Sequence, residues 1–324
     1  MPLVTVVIPT RNRPALVCRA VRSVLEQTYK DLEIIVVLDG PDPRTVSALS
    51  VFDDSRLRVI ALENNVGGNE ARNIGVREAT GGWIAFLDDD DEWLPGKIAA
   101  QVAIARKQSR SNIVIATRYI VDRGTTRRVQ PLRLPRVGQP MSEYLFCEVP
   151  LLGWRESFLG LSTWMISKRF LQENPFRAEV RKNQDTDWLL RAVHDPGGQI
   201  IILEEPAAVF HCEERRARVS SSARFEWKYS RDWALSTRDM FTRRALSYFL
   251  ITISLPCAVR EKAGMRSYRL LFGDCRRYGR ITAGVVWFEF RELLLFPFLK
   301  RLGIPAMIHA LRCVGCGCWT RRNS

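Results

Sequence analysis

No stretch of this 324-residue chain reaches the roughly 20 consecutive apolar residues that a membrane-spanning helix needs. The nearest candidates are residues 245–259, uncharged but short and holding Pro256, and residues 281–299, interrupted by Glu289, Arg291 and Glu292. Both patterns suit a segment lying on a membrane better than one crossing it. The N-terminus runs straight into a strand-like LVTVVIP, with no basic leader and no long apolar core, so no secretory signal is expected. The eight cysteines follow no framework spacing and are expected as reduced thiols in a cytosol. There is no internal repeat and no low-complexity tract. Hydrophobic residues at 46% and charged residues at 26% exclude a wholly disordered chain, a collagen-like chain and a small disulfide-stapled scaffold.

The charge is unevenly spread. The chain carries +14 in all; residues 213–324 hold 22 Lys and Arg against 9 Asp and Glu, which leaves about +1 for residues 1–212. No nucleic-acid-reading module accompanies the basic tail, so no nucleic-acid partner is expected. Its Arg residues alternate with apolar runs at 245–259, 281–288, 293–299 and 302–311. That pattern fits either a helical bundle with Arg on its solvated face or docking on an anionic membrane surface. Cys313, Cys316 and Cys318, with His309 as a fourth ligand, form a candidate zinc cluster; otherwise these are free thiols or acylation sites.

The first 120 residues alternate strand and helix patterns. Strands are expected at 4–8, 32–38, 57–62, 83–87 and 113–121, and helices at 13–27, 69–79 and 93–107. Strands apolar throughout and separated by helices imply an α/β fold with a mainly parallel sheet flanked by helices. Ligands of such sheets bind at the carboxyl ends of the strands. Asp39 and the run Asp88-Asp89-Asp90-Asp91 fall at such ends. Residues 123–160, with four prolines, read as an acceptor-side loop or lid, and 200–203 as a further strand.

Four adjacent carboxylates after a buried strand repel one another. Helix capping would use one or two of them. The surplus points to a hard divalent cation, Mg or Mn, held by oxygen ligands with substrate phosphates.

Four motifs then occur in order: VVIPTRNRP at 6–14, Asp39-Gly40, NNVGGNEARNIG at 64–75 and GGWIAFLDDDDEW at 81–93. Together they resemble the successive signatures of glycosyltransferase family 2, over about residues 3–215. The resemblance implies a GT-A fold, a nucleotide-sugar donor and inversion at the anomeric carbon. It implies a GT-A domain at 1–215, with a nucleotide-sugar half to about 120 and an acceptor half at 121–215. Residues 216–324 form a basic, mostly helical C-terminal extension beyond it. By resemblance, Pro9, Thr10, Arg11 and Asn12 hold the nucleotide and Asp39 accepts a hydrogen bond from the base ring, which suits UDP. Arg72 lies near base and phosphates, Asp88 and the variable Asp89 on the nucleotide side, and Asp90 is the metal ligand, with the register of the run open by one. Asp185, in NQDTDWLLR at 183–191, aligns with the family's catalytic base, Gln184 replacing the common Glu; Asp187 is the second candidate. Read without the family, both would be caps on a helix from Trp188. His211 approaches the metal or diphosphate, and Arg216 and Ser220 belong to a closing loop.

The expected activity is metal-dependent transfer of a sugar to a glycan or lipid-linked acceptor in surface polysaccharide or lipopolysaccharide assembly, on the cytoplasmic face of the membrane. Two alternatives stand: a nucleotidyltransferase, although the Gly-rich loop with Lys is replaced here by Pro9-Thr10-Arg11-Asn12-Arg13, or an inactive GT-A domain that binds membrane or anions.

Overall fold

The computed structural model describes residues 3–147, 157–194, 198–212 and 227–295. By contact the chain forms two units: Met1–Pro131 with Leu159–Glu213, and Leu132–Phe158 with Glu214–Ser324.

The first unit is built on a nine-stranded sheet. Its strands are β1 (Val4–Thr10), β2 (Leu32–Leu38), β3 (Leu57–Ala61), β4 (Trp83–Phe86), β5 (Asp91–Trp93), β6 (Ile113–Asp122), β7 (Arg127–Gln130), β8 (Met165–Ser167) and β9 (Gln199–His211). They lie in the order β3-β2-β1-β4-β8-β6-β9-β5, with β7 beside β6. The half containing β3, β2, β1 and β4 is parallel. The other half is mixed: β8 runs antiparallel to β4 and β6, β9 parallel to β6, and β5 antiparallel to β9. Val6, Val7 and Ile8 of β1 and Ile34 to Leu38 of β2 are wholly buried, as strands covered on both faces require.

The parallel register places Thr10 beside Leu38, and Val7 beside Phe86. The segments after β1, β2 and β4 therefore leave from one edge, and they carry residues 10–12, Asp39 and the aspartate run. Helix α1 (Pro14–Leu25) opens on proline and buries the stripe Val17, Ala20, Val21 and Val24. Helix α2 (Pro43–Leu49) is capped by Asp42, which accepts from the Thr45 amide. Helix α3 (Gly68–Glu78) lies so close to β1 that a Cβ on Gly75 would come within 2.4 Å of Val7 Cγ1.

Residues 91–93, in part expected as the start of a helix, form a short strand instead. The buried Trp93 ring donates its Nε1 proton to the Ser162 carbonyl at 2.7 Å. Pro95 and Gly96 then separate the strand from helix α4 (Lys97–Ala105). Strand β9 is interrupted opposite Arg118, where the register slips at Pro206. A bulge tolerates the missing proline N–H, and the strand resumes to deliver Phe210 and His211 beside Asp91 and Asp122. Helix α5 (Met141–Cys147) falls in the second unit, while α6 (Lys168–Glu173) and α7 (Gln184–His194) return to the first. Helix α7 begins four residues before Trp188, so Asp185 and Asp187 sit in its first turn.

The second unit is helical: α5, α8 (Trp227–Ser236), α9 (Arg243–Phe249), α10 (Leu255–Arg260), α11 (Gly264–Tyr278) and α12 (Ala283–Phe290). A π-helical segment, Leu250–Ser254, joins α9 to α10 without a break. It precedes Pro256, whose ring and missing N–H a regular turn would not accommodate. Within this continuous rod Ala245, Phe249, Leu250, Leu255 and Ala258 are wholly buried. Phe249 packs on Phe146, Trp233 and Phe241, with ring centroids 5.1, 5.3 and 5.8 Å away. The uncharged run at 245–259, for which the sequence left a membrane surface and a helical bundle open, is the core of the bundle. A helix apolar on every face gains most when surrounded by protein. Among the described residues no helix is long and apolar enough to cross a membrane.

Candidate active site

The four aspartates after β4 do not share one environment. Asp88, Asp90 and Asp91 each bring a carboxylate oxygen to within 4.8 Å of the others. Asp89 turns elsewhere: it accepts from Thr10 Oγ1 at 2.7 Å and from Arg13 Nη1 at 2.9 Å. Burial raises its pKa, Arg13 opposes that, and the carboxyl is pushed up to about 6. Asp91, given no role by the sequence reading, enters the cluster because β5 pairs with β9 and buries it. Three converging carboxylate oxygens at the mouth of a buried strand are the hard donor set that Mg or Mn takes.

Asp185 approaches this cluster from α7. It is half-buried, and the Leu161 amide donates to its Oδ2 at 3.2 Å. Burial and then the negative charge of Asp88 raise its pKa, Arg72 counteracts them, and the result is about 6. Arg72, buried on α3, lies between the two. Its Nη2 donates to Asp88 Oδ1 at 2.7 Å and its Nη1 to Gln184 Oε1 at 3.3 Å. Burial disfavours its charge, but Asp88 and Asp185 outweigh that and hold it protonated. Gln184, where the family commonly has Glu, leaves the Arg72 charge to these two carboxylates.

Asp187 points away from the cluster. Its carboxylate accepts from Arg177 Nη2 and Nε at 2.7 and 3.0 Å and from Arg191 Nε at 3.2 Å, and it is 1% exposed. That clamp fixes α7 from the opposite side of the turn that presents Asp185.

Asp39 binds the segment that leads from β3 into α3. Its oxygens accept from Asn65 Nδ2 at 2.5 Å, the Val66 amide at 2.7 Å and the Gly67 amide at 3.1 Å. Gly67 adopts φ +87°, which lets its amide turn inward to that carboxylate. The exposed Arg11 and Asn12 and the half-buried Pro9 border the same edge. Asn12 takes φ +54° while its amide donates to Asp42 Oδ2 at 2.7 Å. His211 places Nε2 3.2 Å from Glu92 Oε1, and Arg19 Nε lies 2.9 Å from the same oxygen. Arg216, Ser220 and the 309–318 cluster lie outside the described residues.

The parallel strands bring residues 10–12, Asp39 and the aspartate run to one edge of the sheet, and helix α7 adds the Asp185 carboxylate. The fold is of the GT-A type. TarS of S. aureus in complex with UDP-GlcNAc superposes with a TM-score of 0.56 at 17% identity, covering 93% of this chain and 92% of that one. The mannosyltransferase PcManGT of Pyrobaculum calidifontis, in complex with GDP-Man and Mn2+, gives 0.52 at 16% identity, covering 90% and 87%. The chain matches the model of Glycosyl transferase family 2 over residues 5–174, more than half its length, and belongs to that family. It is 28% identical to the putative colanic acid biosynthesis glycosyl transferase WcaA of Escherichia coli K12, over 78% of this chain and 87% of the relative. It is 34% identical to the E. coli UDP-Glc:alpha-D-GlcNAc-diphosphoundecaprenol beta-1,3-glucosyltransferase WfgD, over 34% of this chain and 43% of that protein. The protein is a glycosyltransferase.

Proposed function

We propose that this enzyme moves a sugar from a nucleoside diphosphate, UDP in particular, to an acceptor hydroxyl with inversion, and that Asp185 is the base. One observation carries the reading: the first turn of α7 brings the Asp185 carboxylate to the acid cluster, where the Leu161 amide holds it at 3.2 Å and burial with the charge of Asp88 raises its pKa to about 6. Such a group is ionised at neutral pH yet basic enough to take a hydroxyl proton. The acceptor oxygen forms its bond to the anomeric carbon, its proton passes to Asp185, and the bond to the diphosphate oxygen breaks.

Asp88, Asp90 and Asp91 would hold a divalent cation, which when bound supplies positive charge to the leaving diphosphate. Arg72 keeps Asp88 in place and adds positive charge at the same edge. Thr10 and Arg13 fix Asp89, and through it the nucleotide loop 9–12 is tied to the acid run. Asp39 shapes the 65–67 loop on the base side. His211, at the end of β9 with Nε2 3.2 Å from Glu92 Oε1, would lie near the diphosphate side of the cluster.

The names of the relatives support an acceptor in the assembly of a cell-surface polysaccharide, carried on a lipid diphosphate. They also support UDP as the donor nucleotide. Described residues 227–295 hold 13 Lys and Arg against 6 Asp and Glu. On α11, Arg266, Arg269, Arg276 and Arg277 are exposed beside Met265 and Leu270. That face suits an anionic membrane surface, where such an acceptor would lie.

The test is a thermal-unfolding panel of UDP, GDP, CDP and TDP, each with Mn, with Mg and with chelator. Stabilisation by UDP that chelator removes is the expected outcome. No response to any diphosphate in the presence of metal would overturn the reading. Vesicles containing phosphatidylglycerol should retain the protein at low salt and release it at high salt.

A further inference from the structure

The 3-10 turn Leu161–Thr163 touches both halves of the chemistry, although no motif marks it. Ser162 is wholly buried. Its hydroxyl accepts from the Asp88 amide at 3.0 Å and donates to Asp91 Oδ2 at 2.6 Å. A hydroxyl has one proton, and the amide can only donate, so that proton is committed to Asp91. The preceding residue donates its amide to Asp185. The turn itself is held from three sides. Trp93 Nε1 donates to the Ser162 carbonyl at 2.7 Å, Gln101 Nε2 to the Thr163 carbonyl at 2.9 Å, and Thr163 Oγ1 to the Gly160 carbonyl at 2.7 Å.

We propose that Ser162 is a positioning residue that sets the affinity of the acid cluster for its divalent cation. The argument rests on the metal reading above. Asp88 and Asp91 belong to different segments, one following β4 and the other opening β5. The Asp91 amide bonds the Asp88 carbonyl at 3.1 Å, and Ser162 bonds both residues from the other side. A side chain that orients a ligand's carboxylate acts on metal affinity without touching the metal, and removing such a partner costs 10–100-fold. The same turn supports Asp185 through a backbone amide, which a Ser162 substitution leaves in place. Metal affinity and base function are therefore separable.

The experiment measures Mn binding by electron paramagnetic resonance on the full chain without donor, for wild type and Ser162→Ala. The expected result is a Kd weaker by about 10–100-fold in the variant. Transfer activity should be lost at low Mn and largely recovered at saturating Mn, with the pH dependence of the saturated rate unchanged. An unaltered Kd in a variant that is merely less stable in chelator would overturn the proposal and leave Ser162 as packing. Should Ser162→Ala not fold, Ser162→Cys keeps the volume and a weak donor, and a Kd between those extremes supports the same role, whereas a wild-type Kd refutes it. Absence of Mn binding by the wild type would overturn the metal reading itself, and this proposal with it.

Discussion

Replacing Asp185 by Asn should make the metal-free protein more stable and the enzyme inactive. Asparagine keeps the shape, and its Oδ1 still accepts the Leu161 amide that now reaches Asp185 at 3.2 Å. What it removes is a charge that burial and Asp88 oppose. The carboxyl titrates at about 6 against an ordinary 3.8. A group whose folded pKa is raised gives stability that is full below the unfolded value and is lost as pH rises through the folded one. Ionising Asp185 at neutral pH therefore costs about 3 kcal/mol, which the solvent access of a half-buried group reduces to about 1–2 kcal/mol. For a unit of this size that is an upward shift in Tm of about 2–8 °C for Asp185→Asn. The assay is differential scanning calorimetry in chelator from about pH 4 to pH 8. The difference between variant and wild type should be near zero at the acid end, grow between about pH 4 and 6, and then level off. Asp89, pushed up to about 6, titrates in the same window but equally in both proteins, so it cancels. Activity should fall at least about 100-fold while UDP with Mn still stabilises the variant. A variant equally active, or destabilised at every pH, would refute the assignment of Asp185 as a strained, ionised base.

Further outcomes follow from the same geometry. Asp90→Asn should abolish metal-dependent stabilisation by UDP, read as loss of the chelator-sensitive Tm shift, while changing Tm in chelator little. Asp187→Ala removes the buried partner of Arg177 and Arg191, whose own side chains keep access to water, and should lower stability by about 1–3 kcal/mol in chemical denaturation. Gly75→Ala forces a methyl into Val7 at the α3–β1 contact and should cost about 1–3 kcal/mol, with any residual activity keeping its wild-type pH profile.

The parallel half of the fold was legible because its cause is local. Val4–Thr10 and Leu32–Leu38 are apolar but for Thr5, Thr10 and Glu33, and α1 carries its stripe between a proline start and a polar finish. The aspartate run was legible as a candidate site because four adjacent carboxylates exceed what helix capping uses. Which aspartate does what was not legible. The separation of Asp89 from Asp88, Asp90 and Asp91 depends on Thr10 and Arg13, 79 and 76 residues away. Asp91 joins the cluster only because β9, more than 100 residues downstream, pairs with a three-residue strand too short to show a period. The run at 245–259 shows an ambiguity that composition alone leaves open. Its composition is that of a membrane segment, but composition does not say whether lipid or protein surrounds a helix, and here Phe146, Trp233 and Phe241 do.

Asp185 and Asp187 make the same point at the scale of one helical turn. Both are acidic, both open α7, and propensity treats them alike as first-turn aspartates favoured by the helix dipole. Two residues along a helix rotate a side chain by about 200°, so the pair must face opposite ways. On one side Arg177 and Arg191 saturate Asp187 and spend it on anchoring the helix. On the other, burial and the field of Asp88 outweigh Arg72 and the backbone amides, and Asp185 keeps an elevated pKa. The anchor makes the strain possible: a helix end held by two guanidinium groups can carry an unfavourable carboxylate toward the acid cluster without turning it back to water. Loosening Asp187 should thus lower activity through Asp185, and the pKa read from the pH profile of any residual transfer should move down toward the ordinary carboxylate range as Asp185 gains access to water.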